Sequence, residues 1–272
     1  MKRWLLISAI VILAAVFAVS LYFVLTYQAE SRENEQIYVE LSDMVEDIRA
    51  TLPPEQPHDP TDPAPQYNYA EVEDEETAEP VKLLPEYVPI FKLNNDTVGW
   101  ISIADTKINY PVVQTVDTPN YYINHNFYKE SSKYGAIYAA EHCDVEESDN
   151  VVIYGHRMND GSMFADLLKY KDKTFYESHK YIRFDTLHSR QTYEIIAVFQ
   201  IESVNSNNFD YHHFTRFQAE SQFNTFMSRI DLLELYDTGV EANYGDRLIT
   251  LSTCEKNYKN GRLVVVAKQI EP

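Results

Sequence analysis

Cysteine is scarce in this chain. Its 272 residues include only two, Cys143 and Cys254. A pair of cysteines excludes a scaffold stapled by several disulfides, although a single bridge would still be possible. No Cys-x-x-Cys pair occurs, so the spacing indicates neither a zinc site nor thioredoxin-like redox chemistry. We therefore expect two free thiols, one of which is functional.

Basic residues are also few, since 23 Lys and Arg stand against 42 Asp and Glu, for a net charge of −19. The imbalance is greatest in residues 27–79, where 16 acidic residues accompany only Arg32 and Arg49. Because a phosphate backbone is bound through a basic surface, nucleic acid is not an expected partner. No internal repeat is visible, and we interpret the acidic run as a solvated spacer.

The first 30 residues carry a clear physical signal. Lys2 and Arg3 precede an uncharged stretch whose apolar part continues to Tyr27. About 20 apolar residues in a helix cross a bilayer, whereas the apolar part of a cleaved signal peptide has about 7–15. We therefore predict an uncleaved, single-pass transmembrane anchor over residues 4–27. Its basic flank is expected to form a cytoplasmic tail, residues 1–3, which places everything after residue 27 outside the cell.

Residues 28–79 are predicted to form an acidic, proline-rich extracellular stalk. A helix is predicted over residues 30–50, because apolar residues recur on one face: Ile37, Leu41, Met44, Val45 and Ile48. Six prolines and a second acidic run follow, so residues 51–79 are expected to be extended and disordered. The folded domain is then predicted to span residues 80–272.

From residue 80 the chain has segments typical of strands, rich in Ile, Val, Tyr and Thr with polar breaks between them. Eight strands are predicted: Val98–Ile103, Lys107–Val113, Gly135–Ala140, Val151–Tyr154, Tyr181–Asp185, Thr192–Val204, Arg247–Thr253 and Leu263–Ile270. Helices are predicted at Glu86–Leu93, Met163–Tyr170 and Phe217–Leu232. Eight strands with few helices and no βαβ rhythm favour a mostly β fold, a closed or nearly closed mixed β-barrel with flanking helices.

Cys254 is the first candidate for chemistry. It ends the segment Ile249-Thr-Leu-Ser-Thr-Cys254, which is rich in β-branched residues. At the end of a strand, a rigid backbone can carry a side chain beyond the sheet. This segment alone leaves two interpretations open, a nucleophile or a buried structural cysteine.

Two further candidates also lie at strand ends. His156 follows the strand Val151–Tyr154, with Gly155 allowing a tight exit, and such a histidine suits acid–base work near neutral pH. Arg262 opens the last strand, and the Asn- and Gly-containing segment before it predicts a turn, so the last two strands should be neighbours. The guanidinium could then donate hydrogen bonds to a developing oxyanion, and a surface salt bridge is an equally open interpretation.

Taken together, these motifs resemble those of the sortase family. The resemblance rests on Thr250-Leu-Ser-Thr-Cys254, on Tyr154-Gly-His156 and on Arg262 ahead of Val-Val-Val-Ala, and it covers roughly residues 84–270. Asp96-Thr-Val-Gly-Trp-Ile-Ser-Ile is similar to the start of the sortase barrel. The stretch His156-Arg-Met-Asn-Asp-Gly-Ser-Met-Phe, with the helix near 217–232, is similar to class B in particular. The resemblance implies a closed eight-stranded sortase-type β-barrel with these three catalytic residues.

The resemblance to this family implies a cysteine transpeptidase without a cofactor. The Cys254 thiolate would attack the threonine carbonyl of a C-terminal sorting signal on a secreted protein, His156 would protonate the leaving amine, and Arg262 would stabilise the intermediate. An amine of a cell-wall precursor or of a pilin would then resolve the thioacyl enzyme. Class B sortases often act on Asn-Pro-Gln-Thr-Asn-like signals and others polymerise pilins, and this sequence does not choose between them.

The resemblance also implies residues that line the substrate groove: Ser252 and Glu255 beside the nucleophile, and Asn124 and Asn126 in Tyr-Tyr-Ile-Asn-His-Asn-Phe. A structural hydrogen-bonding role remains the alternative for each of them. Cys143 is interpreted as a buried bystander. It lies in Glu-His-Cys-Asp, but adjacent ligands on a strand point to opposite faces, so no metal is expected.

Two other functions remain open at this stage. A cysteine protease shares the cysteine and histidine and lets water resolve the acyl-enzyme, although the signatures of papain-like enzymes and caspases are absent. The second alternative is a non-catalytic, membrane-tethered adhesin or assembly factor built on a sortase-like barrel. Loss of Cys254, His156 or Arg262 would favour it, and all three are present.

Overall fold

The computed structural model describes residues 2–53, 67–73, 80–201, 209–255 and 261–271. The chain forms two compact units, Met1–Glu40 and Leu41–Pro272. The first unit is the greater part of one helix, α1 (Lys2–Arg49). The second unit contains every strand of the described residues and all three candidate residues for catalysis.

Among the described residues, α1 is the one helix that is long and apolar enough to cross a membrane. Its N-terminal part exposes large apolar side chains such as Leu13 and Phe17, a surface that matches hydrocarbon better than water. The helix predicted over residues 30–50 is confirmed, and it continues the apolar segment without a break. α1 ends at Arg49, shortly before Pro53 and Pro54, which cannot continue a helix.

The stalk prediction is wrong for the last turns of α1. Leu41 and Val45 are buried within the second unit, and Arg49 donates a 2.8 Å hydrogen bond to Asp185 of the barrel. The compact domain therefore begins at Leu41 and not at residue 80. The apolar face that predicted the helix also packs on the domain. Local periodicity identifies such a face but does not show whether it packs on another helix or on the domain.

A two-stranded sheet also contradicts part of the predicted disorder. β1 (Ala70–Glu73) pairs antiparallel with β2 (Pro80–Leu83), and Val72 is buried while Glu71 is exposed. Such a short alternation of apolar and polar residues, within a segment rich in acidic residues, is not enough to predict a strand. Residues 54–66 and 74–79 of the predicted stalk lie outside the described residues.

The second unit is built around a closed barrel of eight strands, as predicted. The strands are β3 (Thr97–Ser102), β4 (Asn109–Val113), β5 (Ile137–Ala139), β6 (Asn150–Gly155), β7 (Tyr181–Thr186), β8 (Thr192–Ile201), β9 (Leu248–Glu255) and β10 (Gly261–Glu271). Their order around the barrel is β10-β8-β7-β3-β4-β5-β6-β9. β4 with β5 and β6 with β9 are parallel, and the other neighbouring pairs are antiparallel, so the barrel is mixed.

The barrel strands are buried on both faces. In β10 the whole run Leu263–Ala267 is buried, which requires cover inside and outside because successive side chains alternate. Part of this cover comes from α4 (Glu220–Asp231), which buries Phe226 against the ring of Phe209. The ring of Phe209 in turn contacts Phe199 of β8. α4 confirms the helix predicted over Phe217–Leu232 and is slightly shorter.

Shorter helical elements lie between the strands, among them α2 (Val88–Leu93), a 3-10 helix (Phe164–Lys171) and α3 (Lys173–Ser178). The first two confirm predicted helices, the second in 3-10 form. α3 is absent from the predictions because a helix of this length shows no periodic pattern. Its local signal is Asp172, whose side chain accepts a 2.9 Å hydrogen bond from the backbone N–H of Thr174.

Candidate active site

The parallel pairing of β6 with β9 brings His156 next to Cys254. The ladder runs in register from Asn150 opposite Leu248 to Gly155 opposite Thr253. The next residues along the two strands are His156 and Cys254. Neighbouring strands lie about 4.8 Å apart, so two residues that are distant in the sequence meet where both strands end.

β10 places Arg262 on the other side of Cys254. The two residues are direct partners in the antiparallel β9–β10 ladder. Directly opposite residues project on the same face, with Cβ atoms about 4.5–5.5 Å apart. The prediction that the last two strands are neighbours is confirmed, while the predicted turn between them falls on residues 256–260, outside the described part of the chain.

His156 and Cys254 each change the acidity of the other group. Side-chain hydrogen bonding to His156 is the largest cause that lowers the pKa of the Cys254 thiol below its ordinary value of 9.0, against the effect of burial and with help from the charge of Arg262. Side-chain hydrogen bonding to Cys254 is likewise the largest cause that raises the pKa of His156 above 6.5, again against burial. Both shifts favour a thiolate–imidazolium pair.

A backbone carbonyl fixes the orientation of the His156 ring. Nε2 of the ring lies 2.6 Å from the carbonyl oxygen of Ile123. Because a carbonyl oxygen can only accept, Nε2 carries the proton and donates it. Nδ1 is then the nitrogen left to face the thiol. Ile123 ends the short 3-10 turn Tyr121–Ile123, which sequence reasoning did not associate with the site.

The backbone that carries the two residues is closely packed. A Cβ on Gly155 would lie 2.5 Å from the side chain of Ile137 and 2.6 Å from that of Phe164, so glycine is needed here for packing. Thr253 Oγ1 donates a 2.9 Å hydrogen bond to the Gly155 carbonyl. The His156 carbonyl accepts a 2.9 Å bond from the N–H of Phe164. The ends of β6 and β9 are thus held rigidly, as a preorganised site requires.

Ser252 shares a face of β9 with Cys254, but its hydroxyl is engaged with a neighbour. Ser252 Oγ lies 2.8 Å from the hydroxyl of Tyr211, and both residues are only 1% exposed. This geometry favours a structural role over the predicted contact with substrate. Glu255 is the last residue of β9, and its side chain is outside the described part of the structure.

The two asparagines predicted to line the groove have different surroundings. Asn126 is buried, and its Oδ1 accepts hydrogen bonds of 3.0 Å from the N–H groups of Tyr128 and Glu130. It therefore stabilises its own loop. Asn124 is exposed and directly follows Ile123, whose carbonyl holds His156. Of the two, Asn124 is the one that is open to solvent.

Cys143 lies apart from the catalytic trio. Both cysteines are free thiols, as predicted. Cys143 is buried, burial raises its pKa to about 11, and its sulfur accepts a hydrogen bond from the N–H of Val152. A thiol that resists ionisation is a poor nucleophile, which agrees with the interpretation of Cys143 as a bystander.

Tyrosines on the same face as Cys254 were missed by sequence reasoning. Strand register aligns Tyr138 of β5 with Tyr154 of β6, and Tyr154 with Ser252 of β9. The rings of Tyr138 and Tyr154 lie 5.4 Å apart. Burial is the main cause that raises the pKa of Tyr138 to about 12, so its hydroxyl stays neutral. In a chain with 21 tyrosines, only the register identifies these two.

A closed eight-stranded barrel with Cys, His and Arg at adjacent strand ends is the architecture expected of a sortase. The family model described as "Sortase domain" matches residues 101–270. The chain belongs to the sortase family. Sortase B of Listeria monocytogenes is 38% identical over 183 residues, which cover 66% of this chain and 72% of that protein. Sortase B of Staphylococcus aureus is 31% identical over 190 residues, covering 69% and 75%.

Solved structures show the same relationship. The Staphylococcus aureus sortase B–substrate complex matches with a TM-score of 0.71 and 26% identity, covering 89% of this chain and 98% of that one. Sortase B from B. anthracis in complex with AAEK1 matches with a TM-score of 0.68 and 29% identity, covering 89% and 99%. Sequence and structure therefore make the chain a class B sortase, a cysteine transpeptidase, as the motifs predicted.

Proposed function

We propose that this enzyme works outside the cell, held to the membrane by α1, and cleaves a C-terminal sorting signal after its threonine. It then joins the threonine to an amine of a cell-wall precursor or of a pilin. The observation that carries the proposal is the meeting of Cys254, His156 and Arg262 at the ends of three adjacent strands.

In the first half of the reaction, the Cys254 thiolate attacks the carbonyl carbon of the threonine. The carbonyl oxygen becomes an oxyanion, to which the Arg262 guanidinium donates hydrogen bonds. The tetrahedral intermediate then expels the amine of the following residue, which takes its proton from the His156 imidazolium. A thioester between the threonine and Cys254 remains.

In the second half, the acceptor amine attacks the thioester. His156, neutral after the first step, removes a proton from the attacking nitrogen, and Cys254 leaves as a thiolate. An amide bond has formed and the imidazolium–thiolate pair has been restored. The lowered pKa of Cys254 makes its thiolate easier to form and a better leaving group.

The peptide is bound along the face of the sheet that carries Cys254. One structural neighbour is a sortase B–substrate complex, which supports the binding of a substrate by this fold. We assign Asn124 and Glu255 to the residues that bind the peptide. Ser252 and Asn126 shape the groove indirectly, the first through Tyr211 and the second through its own loop.

The proposed location follows from α1. Its apolar segment from residue 4 to 27 is the membrane anchor, and its exposed apolar surface among the described residues supports this role. Lys2 and Arg3 stay on the cytoplasmic side. The catalytic domain is then outside the cell, where secreted proteins and cell-wall precursors meet it.

The test uses the full chain in detergent, incubated with fluorescent sorting-signal peptides of the wall-anchoring and pilin kinds and with an added amine. Cys254→Ala is compared with Cys143→Ala, a matched control that removes the other thiol. We expect amine-linked product, identified by mass spectrometry, from wild type and Cys143→Ala and none from Cys254→Ala. Hydrolysis without amine capture would instead indicate a cysteine protease, and turnover by Cys254→Ala would refute the proposal.

A further inference from the structure

The turn that contacts His156 is tied into the barrel. The carbonyl of Tyr122 accepts a 3.0 Å hydrogen bond from the N–H of Ala136, just before β5. Farther along, the N–H of Ser132 donates a 2.9 Å bond to the carbonyl of Asn124. These bonds fix the backbone on both sides of Ile123, whose carbonyl oxygen contacts Nε2 of His156.

Gly135 is the residue at which the turn, β5 and the imidazole meet. Its φ is +60°, in the left-handed region that favours glycine. A Cβ added there would lie 2.6 Å from the Tyr122 carbonyl oxygen, 2.9 Å from that of Ile123 and 3.1 Å from Cδ2 of His156. Backbone oxygens do not approach a Cβ so closely, so a side chain at this position would move the carbonyl relative to the ring.

We propose that the Ile123 carbonyl, set in place by Gly135, is a positioning group that holds His156 in the tautomer protonated at Nε2. This inference rests on the proposed acid–base role of His156. With Nε2–H donated to the carbonyl, the Nδ1 lone pair accepts the proton of the Cys254 thiol and later passes it to the leaving amine. The carbonyl thus orients the histidine as a buried carboxylate does in many triads.

The carbonyl also balances the charges that face the ring. Cys254 of β9 and Arg262 of β10 both act on His156, and the positive charge of Arg262 lowers the pKa of the imidazole. The hydrogen bond to the Ile123 carbonyl raises it, because a carbonyl oxygen stabilises the imidazolium that donates to it. Displacing the carbonyl would leave the imidazolium with the repulsion of Arg262 and without this support.

The test compares Gly135→Ala with Gly239→Ala in the full chain in detergent. Gly239 has the same left-handed backbone, φ +72°, but a Cβ there meets nothing within 4 Å. The rate of Cys254 alkylation by iodoacetamide is followed against pH, with the modified peptide identified by mass spectrometry. We expect Gly135→Ala to shift the midpoint to higher pH and to lower kcat/KM on the order of 100-fold. Gly239→Ala should change neither.

An unchanged alkylation profile in folded Gly135→Ala would overturn the proposal, even if its activity fell, because a merely structural defect does not retune the thiol. A second measurement uses the wild-type chain and does not depend on the folding of a variant. Cys254 is blocked as an uncharged methyl disulfide, and the histidines are labelled with ¹⁵N for NMR. We expect His156 in the Nε2–H tautomer, and the Nδ1–H tautomer would refute the inference.

Neither of these two readouts needs a sorting-signal substrate. They therefore remain decisive if the proposed transpeptidation fails in the peptide assay. Conversely, amine-linked product with an Nδ1–H tautomer would leave the proposed function standing and remove the positioning role of Ile123.

Discussion

The hydrogen bond between Ser252 and Tyr211 gives a prediction whose size follows from the structure. The two hydroxyls are 2.8 Å apart and both residues are 1% exposed. Ser252→Ala leaves the Tyr211 hydroxyl buried without this partner, which costs roughly 1–3 kcal/mol. For a domain of this size, each 1 kcal/mol lowers Tm by about 2–4 °C.

Tyr211→Phe should destabilise the domain by a similar amount for the same reason. In the double variant both hydroxyls are absent, and no buried polar group is left unpaired. Its stability should therefore lie close to that of the wild type, and the coupling free energy should be about the sum of the two single losses, roughly 2–6 kcal/mol. Thermal unfolding of the four proteins is followed by the fluorescence of the buried Trp100.

The same four proteins are assayed with the sorting-signal peptide. If Ser252 acts through Tyr211, KM changes little in Ser252→Ala at temperatures where the variant is folded. The reasoning is refuted if Ser252→Ala keeps the wild-type Tm and raises KM severalfold. That result would restore Ser252 to the substrate-binding role that the family resemblance implied.

Three further predictions concern the site. Asn126→Ala should lower stability by roughly 1–3 kcal/mol, since it removes an acceptor of two backbone N–H groups, whereas Asn124→Ala should leave Tm unchanged and raise KM. These outcomes are read from thermal unfolding and peptide kinetics, and the reverse pattern would contradict the assignments. His156→Ala should raise the alkylation pKa of Cys254 towards 9.0 by more than Arg262→Ala does, because the hydrogen bond is the larger cause of the lowered value. In the wild type, kcat/KM should rise with pH as the Cys254 thiol ionises, with a pKa below 9.0. It should fall again as the His156 imidazolium deprotonates, with a pKa above 6.5. A profile that keeps rising beyond both pH values would exclude the ion pair as the active form.

The barrel could be predicted because its strands carry a strong local signal. Runs such as Leu263–Ala267 contain β-branched residues over a length that suits a buried strand. β1 and α3 are too short to produce such a pattern. The sequence places residues 41–49 in the stalk because periodicity identifies an apolar face but not the partner that the face packs on.

The three catalytic candidates could be predicted because each lies at a strand end within a family motif. Their surroundings could not, because they arise from register between distant segments. Nothing near Ile123 in the sequence indicates that its carbonyl meets His156. Likewise, the partner of Ser252 is Tyr211, on a segment that follows a different strand. The Ser252 hydroxyl is therefore engaged within the protein and not with substrate, although the motif around it is intact.

The central claim is that Cys254 carries the acyl group from the sorting signal to the amine. The most direct measurement is the intact mass of the full chain after brief incubation with a sorting-signal peptide in the absence of amine. The account predicts an adduct equal to the peptide up to and including its threonine, located on Cys254 by fragmentation and discharged when the amine is added. Turnover of the peptide with no adduct on Cys254, or an adduct that the amine does not discharge, would contradict it.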